Sequence, residues 1–113
     1  MVKIEAIIRY QKLEDVQNAL MEVGVTGMTV TEVKGIGKQK GITHTYRGSQ
    51  YTVNLTPKIK LEIFARAEEE EEIVEAIQKA AQTGEIGDGK IFVIPVSKAV
   101  RIRTGEKGEV ALS

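Results

Sequence analysis

Lys58-Ile-Lys-Leu-Glu-Ile63 alternates without a fault, with Lys58, Lys60 and Glu62 on one side and Ile59, Leu61 and Ile63 on the other. A period of two marks a strand with one buried face. A few residues on, the period changes. Glu68 to Glu72 place consecutive carboxylates where they favour the positive end of a helix dipole. Ile73, Val74, Ile77 and Ala81 form the apolar stripe behind them. The acidic run therefore reads as a helix start rather than a partner-binding tail. Thr83-Gly84 ends the helix, a glycine loop follows, and Ile91 to Val96 is an apolar strand whose Pro95 suggests an edge or a strand end.

The N-terminal half repeats this order. Ile4, Ala6 and Ile8 alternate as a half-buried strand, and Leu13, Val16, Leu20 and Val23 make one helical stripe ended by Gly24. Met28 to Val33, rich in Thr and Val, predicts a second strand running into Gly35. Strand, helix, strand, strand, helix, strand predicts an α+β domain of ferredoxin-like, split βαβ type (βαββαβ), an antiparallel sheet with both helices on one face. A chain of 113 residues fits one such domain. Val100 and Ile102, alternating with Arg101 and Arg103, predict a last short extended piece. Ile4 with Ile7, and Ile91 to Ile94, put apolar side chains on both sides of their strands, so the face without helices is expected to be covered by other subunits.

Composition excludes several classes. There is no cysteine and one histidine, His44, so disulfide scaffolds, thiol nucleophiles and cysteine-bound zinc are out. Three tyrosines, two phenylalanines and no tryptophan leave few base-stacking platforms, and Lys58 to Ile63 lacks the aromatics of an RNA-recognition strand, so no nucleic-acid partner is expected. Lys3, Glu5 and Arg9 interrupt any signal-peptide core and no apolar run approaches a membrane span, which predicts a cytoplasmic protein.

The net charge is zero, 16 basic against 16 acidic residues, yet the distribution is uneven. No acid lies between Glu32 and Glu62, where Lys34, Lys38, Lys40, Arg47, Lys58 and Lys60 fall. Lys90, Lys98, Arg101 and Arg103 stand against Asp88 alone between residues 86 and 104. Glycines cluster in the same two regions. Backbone N–H groups made accessible by glycine, beside Lys or Arg, suit an anion such as a phosphate. Gly37 to Pro57 shows no helical period and reads as a long loop, an interaction arm tipped by Arg47, Ser49 and Tyr51, with a self-contained hairpin as the alternative.

Gly84-Glu-Ile-Gly-Asp-Gly89-Lys90 meets the first seven positions of a Walker A loop, but Ile91 replaces the hydroxyl that would hold magnesium, and the context runs helix to strand. Gly35-Ile-Gly37 has Lys40 where a Rossmann fingerprint needs its third glycine. No nucleophile and base pair is evident. A non-catalytic, nucleotide-binding module fits best.

Longer runs are more specific. Val23-Gly-Val-Thr-Gly-Met-Thr-Val-Thr-Glu-Val-Lys-Gly35, Gln39-Lys-Gly41, Tyr46-Arg-Gly48 with Tyr51, Ala81-Gln-Thr-Gly-Glu-Ile-Gly-Asp-Gly-Lys-Ile-Phe-Val93 and Arg101-Ile-Arg-Thr-Gly-Glu106 closely resemble the PII signal-transduction proteins of nitrogen control. The resemblance spans essentially the whole chain. It implies a homotrimer that binds ATP or ADP in clefts between subunits and, with Mg-ATP, 2-oxoglutarate at the base of a flexible T-loop, about residues 37–55. The glycine loop would be about 82–90 and a C-terminal loop about 101–109.

By the same resemblance, Lys90 with Gly87 and Gly89 would hold phosphates, Asp88 would belong to the nucleotide site, and Arg101 and Arg103 would reach the phosphates from a neighbouring chain. Gly27, Met28, Thr29, Gly35, Gly37, Lys38 and Phe64 would line the rest of the nucleotide site. Gln39 would give its side-chain oxygen to Mg2+, and Lys58, Lys40, Gly41 and Gln39 would meet 2-oxoglutarate. Tyr51 and Ser49 match residues modified in family members, and Arg47 matches the arginine that plugs ammonium channels, so the expected partners are such a channel and nitrogen-assimilation enzymes or regulators. A membrane would be met only through that channel. The chain departs from the family pattern at Tyr10-Gln11, Ile36, Lys38 and Phe64, where Pro-Phe, Phe, Arg and Val are usual. The alternative function is a slow phosphoryl-transfer or ATP-hydrolysing enzyme using the same pocket, which the missing Walker hydroxyl argues against.

Overall fold

The computed structural model describes residues 1–36 and 55–113 in full and residues 42–46 and 49–53 by backbone alone. In chain order the elements are β1 (Val2–Arg9), α1 (Leu13–Glu22), β2 (Thr29–Ile36), β3 (Ile42–Tyr46), β4 (Ser49–Val53), β5 (Leu55–Ala65), α2 (Glu70–Ala81) and β6 (Gly89–Pro95). Four strands form one antiparallel sheet in the order β2-β5-β1-β6, and β3 pairs with β4 separately. This is the predicted ferredoxin-like βαββαβ core.

The period-two pattern sets the register. Ile4 lies opposite Ile63, Ala6 opposite Leu61 and Ile8 opposite Ile59, so the apolar residues of the two central strands share one face. Val16 and Leu20 of α1 and Ile73, Ile77 and Ala81 of α2 pack onto that face, and all of these side chains are buried. Shifting β5 by one residue would turn Lys58, Lys60 and Glu62 into this core, which is why the register is fixed. α1 closes as a Schellman turn: Val25 N–H donates to the Leu20 carbonyl at 3.0 Å and Gly24 N–H to Met21 at 3.1 Å, with Gly24 at φ 87°. A short 3-10 turn over Ala67–Glu69 leads into α2, and Glu69 Oε1 accepts the Arg66 backbone N–H at 3.0 Å, the carboxylate half of a capping box.

The opposite face of the sheet carries Phe64, Phe92 and Ile94, all substantially exposed, and Ile7. Between them run charges. Glu5 and Glu62 are register partners, and Lys3 answers their repulsion, lying 3.1 Å from Glu5 and 2.7 Å from Glu62. The bond to Lys3 lowers the Glu62 pKa, and Glu62 first, then Glu5, raises that of Lys3.

Two expectations change. The segment 37–57 contains a hairpin, β3 with β4 from Ile42↔Val53 to Tyr46↔Ser49, and β5 begins at Leu55. The arm therefore has a hairpin backbone rather than that of an unstructured loop. The Thr, Tyr, Ile and Val of 42–46 and 49–53 are strand formers that a search for helical period passes over. Residues 100–103 are a turn instead of an extended piece. Val100 bridges to Lys107, Arg101 N–H donates to the Glu106 carbonyl at 2.8 Å, and Gly105 N–H returns to the Arg101 carbonyl at 2.7 Å. Alternation over four residues is too short to outweigh the turn that Thr104-Gly105 provides. Among the described residues, no helix is long and apolar enough to cross a membrane.

Candidate functional site

The link from α2 to β6 passes through Gly84, Gly87 and Gly89, each at positive φ, and folds around the Asp88 carboxylate. Asp88 Oδ2 accepts the backbone N–H of Thr83 at 2.8 Å and of Gly84 at 2.9 Å. Oδ1 accepts the Thr83 hydroxyl and, at 2.9 Å, Arg9 Nε. Arg9 Nη2 also donates to the Ile86 carbonyl at 2.9 Å, and Lys58 Nζ donates to the Gly87 carbonyl. Two cations from the central strands therefore hold the loop against the sheet. Arg9 and Lys58 are register partners on β1 and β5, so one sheet position supplies both.

These bonds stabilise the charged form of Asp88 and hold its carboxyl well below the usual carboxylate range, Thr83 contributing most and Arg9 next. A pKa depressed on folding gives stability that is complete above the unfolded value, about 3.9, and lost as pH falls through the lower folded value. The protection of the Thr83 and Gly84 amides against hydrogen exchange should accordingly persist below about pH 3.9, and Asp88→Asn should reduce it at neutral pH. Protection that collapsed where free carboxylates titrate would contradict this account. Lys58 is shifted the other way for a base: burial, then the Arg9 charge, lowers its pKa, and Asp88 partly offsets them.

Gly89 is where the loop meets the sheet. A Cβ there would lie 1.7 Å from the Ile7 carbonyl oxygen, at φ +102°. Only glycine fits.

Beside the loop lies a cavity of about 530 Å³ lined by Ile7, Gly35, Ile36, Lys58, Glu85, Ile86, Gly87, Asp88, Gly89, Lys90 and Phe92. The structure thus gathers six residues predicted for nucleotide or effector binding, Gly35, Lys58, Gly87, Asp88, Gly89 and Lys90, around one space. Ile36, one of the departures from the family pattern, is 77% exposed at its rim. Lys58 and Lys90 with a glycine backbone make this a cradle for an oxyanion. Asp88 has its carboxylate turned into the loop, so its side chain serves the cradle's shape. Among the described residues no His, Cys, Asp or Glu cluster could hold a metal by itself.

Other predicted residues lie apart. Thr29 pairs with Glu62 and Phe64 with Lys3, whereas Gly35 pairs with Thr56 and Lys90 with Ile7. Six strand residues separate Lys58 from Phe64, roughly 20 Å. Gly27, Met28, Thr29 and Phe64 are thus at the far end of the sheet from the glycine loop within one chain. The Arg101 guanidinium bonds to Glu106 and to the carbonyls of Val110 and Ser113, the last at 2.9 Å. Arg103 is exposed on the same turn. Gly37, Lys38, Gln39, Lys40, Gly41 and Arg47 lie outside the described residues, and Ser49 and Tyr51 are placed on β4 by backbone alone, opposite Tyr46 and His44. Arg9, Thr83 and Ile7 escaped sequence reasoning: Arg9 and Asp88 are 79 positions apart, and Thr83 read as a helix stop.

The chain has known counterparts. The family model described as Nitrogen regulatory protein P-II matches residues 1–106. The chain belongs to the P-II family. It is 58% identical over 112 residues to the nitrogen regulatory protein P-II of Azospirillum brasilense and 56% identical to that of Pasteurella multocida, covering 99% of this chain and 100% of each relative. The P-II 1 protein of Escherichia coli strain K12 is 55% identical over the same length. A crystal structure of Arabidopsis thaliana PII bound to citrate superposes with a TM-score of 0.79 at 41% identity, covering 97% of this chain and 90% of that one. As a P-II protein the chain is a nitrogen signal-transduction regulator, and its relatives are named as regulatory proteins.

Proposed function

We propose that the chain acts as a homotrimeric sensor that binds ATP or ADP between subunits, takes up 2-oxoglutarate with Mg-ATP, and controls its targets through residues 37–55. The observation that carries this reading is the cradle itself: Lys90, Lys58 and the Gly87–Gly89 backbone converging on one cavity. Gly27, Met28, Thr29 and Phe64 stand too far away in one chain. Closing the site between two copies would bring them in, and the exposed Phe64, Phe92 and Ile94 give the copies a surface to bury. Magnesium would be held by nucleotide phosphates and Gln39, which supply its oxygen ligands. The Arabidopsis relative's citrate is a further indication that such folds accept small molecules. An ammonium channel reached through Arg47 and nitrogen-assimilation enzymes or regulators are the proposed targets, in the cytoplasm.

Three measurements test this reading. Light scattering should give about 37 kDa, three times the chain mass of 12.4 kDa. A stable monomer would rule out sites shared between subunits. Lys90→Ala and Arg103→Ala should each weaken ATP binding by roughly ten- to a hundredfold, about 1.5 to 3 kcal/mol for a charge-assisted hydrogen bond. Arg66, 3.7 Å from Glu109 and away from the cavity, is the control. Equal losses at all three positions would reduce the effect to nonspecific charge attraction. Sustained turnover of saturating Mg-ATP would instead favour the phosphoryl-transfer alternative.

A further inference from the structure

We propose that Arg9 is a positioning residue of the nucleotide site, fixing the shape of residues 83–88 through Asp88 so that the loop's amides are set for a phosphate before any ligand arrives. The proposal rests on the nucleotide reading above. Arg9 does not line the 530 Å³ cavity. Its influence must therefore pass through the loop.

The geometry supplies the route. Arg9 ends β1, where it pairs with Lys58 of β5, and the pairing of β1 with β6 ends at the preceding residue, Ile8 opposite Gly89, so its backbone leaves an anchored interior strand. Its planar fork reaches two points of the loop at once, Nε to Asp88 Oδ1 and Nη2 to the Ile86 carbonyl, each at 2.9 Å. Asp88 in turn gathers the amides of Thr83 and Gly84 and the Thr83 hydroxyl, which fixes where α2 ends and where Gly87 and Gly89 point. Both Arg9 and Asp88 side chains are about three-quarters shielded, at 22% and 24% exposure, so solvent screens the pair less than a surface pair. Lys58 cannot substitute for Arg9, because an ammonium is a point charge and its bond goes to the Gly87 carbonyl. Without Arg9, Asp88 keeps its local partners but the loop loses both side-chain ties from β1 to residues 86 and 88. Preorganisation of this kind is paid before binding, so its loss should appear as weaker affinity for phosphate-bearing ligands alone.

The test measures amide exchange at Thr83 and Gly84 without ligand, and ATP and adenosine affinities by calorimetry, in wild type, Arg9→Ala, Arg9→Lys, Asp88→Asn and the Arg9→Ala/Asp88→Asn double variant. Expected are faster exchange in Arg9→Ala, a loss of ATP affinity of about tenfold with adenosine unchanged, and partial rescue in Arg9→Lys, which keeps the charge without the fork. The double variant should be no worse than the weaker single one, since both cut the same link. Unchanged exchange, unchanged ATP affinity, additive losses or an equal loss for adenosine would each overturn the proposal. If Arg9→Ala does not fold, Arg9→Lys and Asp88→Asn carry the same comparison. If wild type binds neither ligand, the nucleotide reading fails, and the proposal that depends on it falls as well. Loss of ATP binding in the Arg9 variants with wild type intact separates the two.

Discussion

Gly89→Ala is expected to lower the free energy of unfolding by ~3 kcal/mol or more, among the largest effects of any single substitution in this chain. A Cβ at this position would stand 1.7 Å from the Ile7 carbonyl oxygen and 2.8 Å from its carbon, both backbone atoms of an interior strand that cannot swing aside. The backbone at φ +102° adds about 1 to 3 kcal/mol for any residue with a side chain. Relief requires β6 to lift from β1 where Gly89 faces Ile8. That is also where Lys90 is aimed, so ATP affinity should fall with stability. Gly27→Ala is the control for stability, because a Cβ there meets nothing within 4 Å and its φ is not positive. Urea unfolding at equal protomer concentration reads both. A Gly89→Ala protein as stable as Gly27→Ala would show that β1 and β6 do not approach as described.

The second large effect is on the effector. 2-Oxoglutarate should bind strongly with Mg-ATP and give no measurable binding with ADP. In the proposed site, oxygens of the γ-phosphate, with Gln39, would hold magnesium against the keto-acid end, and Lys58 would meet the far carboxylate. ADP lacks those oxygens. Lys58 is well placed for this: it borders the cavity, and burial lowers its pKa, so an arriving carboxylate gains a partly desolvated ammonium. Linkage requires reciprocity, so 2-oxoglutarate should tighten ATP by the same factor by which ATP tightens 2-oxoglutarate. Gln39→Ala should abolish that coupling and leave most of the ATP affinity. Calorimetry with each ligand alone and in combination decides. Equal binding of 2-oxoglutarate with ADP, or without magnesium, would end the sensing mechanism even with the fold intact.

Local chemistry made much of this legible. The strict alternation of Lys58 to Ile63 and the stripe Ile73, Val74, Ile77, Ala81 depend only on which side each residue of a strand or helix must face, and all of those apolar side chains are buried except Val74, which is half-buried. Long runs such as Ala81 to Val93 pointed to the family, since many residues at fixed spacing are matched together. The glycines of 84–89 beside Lys90, with Lys98, Arg101 and Arg103 following, pointed to an anion because both signals lie in one stretch of the chain.

Other features belong to no segment. Arg9 and Asp88 are ordinary charged residues until antiparallel pairing of β1 with β6 sets them side by side across 79 positions. Arg101, a ligand group by the family resemblance, also closes the C-terminal turn of its own chain, because Glu106 and the carbonyls of Val110 and Ser113 come within its reach. Gly89 looked like one glycine of several, and only the close approach of the Ile7 carbonyl makes it obligatory. Periodicity and composition, which are properties of neighbours, revealed the four-stranded, two-helix core, its order and the family, but neither the β3–β4 hairpin nor the turn after Val100. Tertiary structure alone decided which charges the loop is tied by and that Phe64 and Lys90 stand at opposite ends of one sheet, because strand register converts sequence separation into distance.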